Sequence, residues 1–146
     1  MDLQFNLGWP GPQDEIPIWV GTITIDGVEY GMAFFNIGSG KPFESDPSTS
    51  VIFFHEIWKI YDMDGFVFDF DTSGFLTEFV EGPVLLWGFD RGIVSLKNSK
   101  YQMNGSVAEA AEPFEEWVGS NVHMSGIIEW YPFGAPQFAP GTFRSN

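Results

Sequence analysis

Short segments in which apolar and polar residues alternate recur along the whole chain, and Gly, Pro, Asn and Asp separate them. Alternation with a period of two places every second side chain on the same face of a β-strand. Turn signals at intervals of about 8–12 residues are typical of an all-β sandwich or barrel. We therefore predict an all-β fold, a single antiparallel β-barrel of about eight strands over residues 1–146, with one short helix near the C-terminal end.

The clearest predicted hairpin lies at Asp26-Gly27, because both residues tolerate the positive φ angles of a two-residue turn. This turn joins the predicted strands Ile16–Ile25 and Val28–Asn36. The other predicted strands are Val51–Tyr61, Phe66–Phe70, Phe75–Val80, Val84–Gly88, Ile93–Leu96, Lys100–Glu109 and Val122–Trp130, and the first three of these are predicted to form a meander.

Three segments do not have a strand pattern. Gly38–Ser50 is predicted to be a mobile loop over a barrel mouth, because it is too long for a hairpin turn. Pro113–Val118 is predicted to be the short helix, with acidic residues in its first turn and Gly119 as its stop signal. The proline-rich tail Pro132–Gly141 is expected to wrap around the barrel or a neighbouring subunit.

The chain is strongly acidic, since 20 Asp and Glu against 6 Lys and Arg give a net charge of −14. Phosphate neutralisation needs clustered basic residues, which the linear sequence does not have, so we predict no nucleic-acid partner. The acidity is interpreted as a solvated surface that keeps an aromatic-rich chain soluble, with a docking face for a basic partner as the alternative. The absence of Cys excludes disulfides and Cys-ligated metals.

The first residues lack the basic and apolar regions of a signal peptide. No stretch of the chain approaches about 18 uninterrupted apolar residues. We therefore expect neither a signal peptide nor a membrane span, and we expect a cytoplasmic protein.

Established motifs for metals, nucleotides and catalytic nucleophiles are absent from the sequence. His55-Glu56 begins like the zinc motif His-Glu-x-x-His, but Lys59 replaces the second histidine. The aspartates before Gly65 do not have the spacing of a calcium loop and are better explained as turn residues. There is no phosphate-binding loop, no dinucleotide-binding glycine motif and no Gly-x-Ser-x-Gly. We therefore expect neither a metal nor a cofactor.

Glu56 is the main catalytic candidate, because it lies on the apolar face of the predicted strand Val51–Tyr61. Burial would raise the pKa of its carboxyl and allow it to act as a general acid or base near neutral pH. The equally weighted alternative is that Glu56 faces solvent or pairs with Arg91 or a tyrosine. Because His55 points to the opposite face, His123 is the predicted catalytic partner.

Residues expected to bind the substrate lie on the surrounding predicted strands, with ordinary core packing as their alternative role. They are Phe54, Trp58, Tyr30, Trp87, Arg91, Tyr101 and Asn104. Asp90-Arg91-Gly92 is interpreted as a hairpin turn, with a buried bulge or a charged pair at a barrel mouth as alternatives.

The segments Gly88–Gly92, Tyr101–Val107 and Gly119–Gly126 resemble in layout the central strands and closing hairpin of allene oxide cyclase-like and dirigent-like barrels. The resemblance implies an eight-stranded antiparallel barrel of the calycin type that guides cyclisation or coupling of apolar substrates. It also implies a reaction that often needs no cofactor, in proteins that are often trimers.

Together these observations predict a cofactor-free cyclase or isomerase that acts on a polyketide- or terpenoid-like molecule in a barrel cavity. A lipocalin-like carrier of a hydrophobic ligand is the alternative from another class, and a structural or assembly module is a third. The expected partner is a hydrophobic small molecule, and a homo-oligomer is left open.

Overall fold

The computed structural model describes residues 2–8, 19–36, 43–46, 51–71, 76–95, 97–127, 129–130, 136–138 and 141–145. Side chains are described within 19–35, 55–71, 76–95 and 97–127. These residues form thirteen strands and one 3-10 turn. The strands are β1 (Asp2–Gly8), β2 (Trp19–Ile25), β3 (Val28–Asn36), β4 (Phe43–Asp46), β5 (Val51–Tyr61), β6 (Val67–Phe70), β7 (Leu76–Val80), β8 (Val84–Ser95), β9 (Lys100–Ala110), β10 (Asn121–Ile127), β11 (Glu129–Trp130), β12 (Pro136–Phe138) and β13 (Gly141–Ser145).

All strands except β6 and β7 belong to one curled antiparallel sheet, in the order β11, β12, β1, β13, β10, β9, β8, β5, β3, β2, with β4 paired to β5. Strand β1 pairs with β13 on one side and with β2 on the other. The prediction of an all-β, antiparallel fold is confirmed. In the described part of the chain, no helix is long and apolar enough to cross a membrane.

The hairpin predicted at Asp26-Gly27 is confirmed. Asp26 and Gly27 have φ angles of 51° and 80°, and Ile25 pairs with Val28 across the turn. These left-handed angles match the twist of the two flanking strands, so β2 and β3 form a continuous ladder.

The inner face of the curled sheet carries the main apolar core. Inward positions alternate along each strand with exposed or half-buried outward ones, as in β9, where Tyr101, Met103 and Val107 are buried. Phe34, Trp58 and other large side chains from neighbouring strands join them in one cluster.

Strand β8 corrects the prediction of two strands separated by a turn at Asp90-Arg91-Gly92. The segment Val84–Ser95 is continuous, because β5 and β9 supply ladder partners on both of its edges. A Cβ atom at Gly88 would overlap the carbonyl of Ser106, so the close approach of β8 and β9 at this point requires glycine. Tertiary pairing therefore overrides the turn-like composition of this segment.

Strands β6 and β7 form a separate two-stranded sheet, so the predicted three-strand meander is wrong. The main sheet continues from β5 directly to β8. The small sheet covers outward apolar residues of β2 and β3, and Phe66 stacks on Tyr61 with ring centroids 4.9 Å apart. A Cβ atom at Gly31 would overlap the Phe66 ring, which explains the glycine there.

The predicted short helix is reduced to the 3-10 turn Glu115–Trp117. Strand β9 continues to Ala110, and Gly119 donates its backbone N–H to Val107, which leaves too few residues for an α-helix. Phe114, 4% exposed, fixes this turn to the core.

The predicted loop Gly38–Ser50 contains β4, while its residues 38–42 and 47–50 lie outside the described residues. The predicted tail contains β12, which pairs with β11 and β1. Residues 132–135 and 139–140 of this tail lie outside the described residues, and so do residues 16–18 of the first predicted strand.

Candidate functional site

Glu56 lies in the interior of the curled sheet. It shares the inward face of β5 with Trp58 and Ile60, and its side chain is 1% exposed. His55 points outward and is exposed. The apolar-face pattern of the sequence therefore gives the correct orientation for Glu56, and the solvent-facing alternative does not hold.

Asp90 is the residue that faces Glu56. The register of β5 and β8 pairs the two positions directly, and Asp90 is also 1% exposed. Among the described residues, these two are the only buried charged or polar side chains. Sequence reasoning missed Asp90 because it assigned Asp90 to a turn. A continuous strand over 84–95 would have placed Leu86, Asp90 and Val94 on one inward face.

Burial makes both carboxyl groups harder to ionise. Burial, and then the charge of Asp90 and a hydrogen bond with it, raise the pKa of Glu56 well above its usual range. Burial raises the pKa of Asp90 to about 8, although the hydrogen bond from Glu56 acts in the opposite direction. The pair therefore holds at least one proton at neutral pH.

No donor from the described residues reaches any oxygen of the two carboxyl groups. Two carboxylates are both acceptors, so a hydrogen bond between the two groups would require a proton on one of them. With one proton on the pair, one carboxyl is an acid that can donate and the other is a carboxylate that can accept.

Two of the predicted ligand residues, Trp58 and Tyr101, lie in the same interior. Burial, and then the charge of Glu56, raise the pKa of the Tyr101 phenol, so this hydroxyl lies within electrostatic reach of the pair. Tyr30 is half-buried at the edge of the core, where its ring meets Phe114 edge-on at 5.4 Å. Only the backbone of Phe54 is described, and it pairs with Gly92.

The other predicted site residues lie on the outer face of the sheet. His123 is the cross-strand partner of Asn104, and its Nδ1 donates to Asn104 Oδ1 at 2.8 Å. Arg91 is exposed on β8, and Trp87 donates its Nε1–H to Glu109 Oε2 at 3.1 Å. Strand alternation places these four side chains opposite to Glu56. Asp90 therefore replaces His123 as the partner of Glu56.

The described residues show no ligand cavity beside the carboxyl pair. Two open depressions lie elsewhere. One, of about 490 Å³, lies beside Trp87 and Val118, and the other, of about 370 Å³, lies beside Lys100 and His123. Within the same residues, no group of three or more His, Asp or Glu side chains could hold a metal ion.

Comparison of the chain with protein-family models, with curated proteins and with solved structures gives no match.

Proposed function

We propose that the protein is a cofactor-free cyclase or isomerase that acts on an apolar, polyketide- or terpenoid-like small molecule. The observation that carries the proposal is the facing pair Glu56 and Asp90, buried together in an apolar interior. Burying two acids costs folding free energy, and acids with strongly raised pKa values cluster at functional sites. General acid/base catalysis is the use that such a pair supports best.

In the proposed reaction, the protonated carboxyl gives its proton to a carbonyl, enol or epoxide oxygen of the substrate. The ionised carboxyl takes a proton from a neighbouring carbon atom. The pair again holds one proton after the exchange, so the next proton transfer can run in the reverse direction. Because both groups lie on one sheet face, they act from the same side of the substrate.

The proposal includes a closed barrel of eight strands. Its support is the series of pairings from β1 through β13, β10, β9, β8, β5 and β3 to β2, and from β2 back to β1. Trp58, Tyr101, Tyr30 and Phe54 would then shape the binding space around the carboxyl pair. The resemblance to allene oxide cyclase-like barrels, the cytoplasmic location and a homo-oligomer belong to the same proposal.

The test uses a β,γ-unsaturated cyclic ketone, whose conversion to the conjugated isomer needs one proton donor and one acceptor and is followed by ultraviolet absorbance. Binding is followed separately with Nile red, a neutral apolar fluorophore. We expect Glu56→Gln and Asp90→Asn each to lower the isomerisation rate by about 10²–10⁴-fold, the usual contribution of positioned proton transfer. Nile red binding should change little.

The matched control is Glu29→Gln, the same substitution at an exposed position of β3, and it should keep full activity. Nile red binding without isomerisation by the wild-type protein would favour the carrier. If the wild-type protein showed neither Nile red binding nor isomerisation, the structural module would be favoured. Unchanged isomerisation by Glu56→Gln would remove Glu56 from the mechanism.

A further inference from the structure

The outer face of the sheet collects both histidines and Arg91 in one cross-strand row. Register pairs His55 with Arg91, Arg91 with Asn104, Asn104 with His123, and His123 with Arg144. These residues come from five neighbouring strands, β5, β8, β9, β10 and β13. The basic residues that are scattered in the linear sequence are therefore brought together by the fold.

The positions beside the middle of this row carry no acid, whereas Asp2 is the cross-strand partner of Arg144 at its end. The outward positions on either side of Arg91, Asn104 and His123 are occupied by uncharged residues, namely Phe89, Ile93, Gln102, Ser106, Asn121 and Ser125. In a chain with a net charge of −14, this area is locally positive, and it is where an anion can approach with the least repulsion.

A depression of about 370 Å³ adjoins the row along β9 and β10. Its polar lining comes from Lys100, Gln102, His123 and Ser125, and Ile127 adds an apolar side chain that is 52% exposed. This volume lies within the range of about 300–1,000 Å³ that is usual for small-molecule sites.

Hydrogen-bond donors in this area are available to an anion. His123 uses Nδ1 to donate to Asn104, which orients its ring. Asn104 accepts through Oδ1, so its amide nitrogen can still donate. The Arg91 guanidinium is exposed one strand away, and such a group matches a carboxylate in a two-point geometry.

We propose that the outer face of β8, β9 and β10 binds an organic acid, with its carboxylate between Lys100, His123 and Arg91 and its apolar part on Ile93 and Ile127. Ile127 lines the depression, and Ile93, which is 40% exposed, is the cross-strand neighbour of the lining residue Gln102. The site lies on the opposite sheet face from Glu56 and Asp90 and does not depend on their role.

Octanoate, acetate and inorganic phosphate are the probes, titrated against the full chain by amide NMR, with the signals of Gln102 and Ser125 as local reporters. Octanoate should bind more tightly than acetate or phosphate. Arg91→Gln and Lys100→Gln should each weaken octanoate binding by about threefold or more, since each removes a partly exposed charge. Ile127→Ser should weaken octanoate binding and leave acetate unchanged.

The matched control is Lys97→Gln, which removes the same charge from an exposed position in the turn before β9 and should leave affinity unchanged. Equal weakening by Lys97→Gln and Lys100→Gln would show a general charge effect and overturn the site. Phosphate binding as tight as octanoate binding would overturn the organic-acid assignment. The absence of any change in the amide signals of Gln102 and Ser125 on octanoate addition would also overturn it. Glu56→Gln should bind octanoate like the wild type.

Discussion

At the scale of single residues, burial of the carboxyl pair costs folding free energy, whereas burial of the apolar core side chains stabilises the fold. Trp58, Ile60 and Leu86 gain stability from burial, whereas Glu56 and Asp90 lose their hydration without gaining a donor from the described residues. Their pKa values are raised in the folded chain, so the folded state holds protons that the unfolded state releases.

This difference predicts how stability depends on pH. Above about pH 4, the usual range for unfolded carboxyls, the unfolded chain binds fewer protons than the folded chain, so stability falls as pH rises toward about 8, the pKa of Asp90. We expect the free energy of unfolding in urea to drop between pH 5 and pH 8 by at least about 1.4 kcal/mol, the equivalent of one pKa unit.

The double variant Glu56→Gln/Asp90→Asn should show a much flatter profile over the same range, because its two amides do not titrate and can bond to each other. Glu29→Gln is the control and should keep the wild-type profile. A double variant with the wild-type slope would mean that other groups cause the pH dependence.

At the scale of strands, the sequence predicts the features that neighbouring residues determine. It does not predict the features that depend on pairing between distant strands. The Asp26-Gly27 turn is local, since two φ angles and two residue types determine it. Strand β8 is not local, because its turn-like centre is held extended by β5 and β9. Asp90 was missed for this reason, and the inward position assigned to His123 was wrong because no local signal fixes which face of β10 packs inward.

The pairing of β1 with β2 is the element-scale feature on which the proposed closed barrel depends. The chain has no Cys, so Asn6→Cys/Thr22→Cys, a register pair of these strands, introduces the only two thiols. Cross-strand neighbours lie within disulfide reach, so we expect an intramolecular bond on oxidation at low protein concentration, seen by intact mass and gel mobility.

The control for this cross-link is Asn6→Cys/Thr77→Cys. It places one thiol on β1 and the other on β7, which belongs to the separate sheet, so no intramolecular disulfide should form. Equal cross-linking in both variants, or none in the first, would contradict the closed barrel.

At the scale of the whole molecule, the fold divides two chemistries between two faces of one sheet. The inner face holds the acid pair within aromatic and aliphatic packing, and the outer face holds both histidines and Arg91. Composition alone predicted an acidic surface and scattered basic residues. Strand register, which composition cannot show, creates the positive row. The same register separates the predicted site residues into an inner and an outer group.

The proton held between Glu56 and Asp90 is the central claim, and carboxyl-carbon NMR of protein labelled at Asp and Glu side chains tests it most directly. The signals are assigned by their loss in Glu56→Gln and Asp90→Asn. The pair should still carry a proton at pH 7, with Asp90 titrating near pH 8. Two carboxyl signals that both titrate near about pH 4, the usual value for exposed acids, would contradict the account.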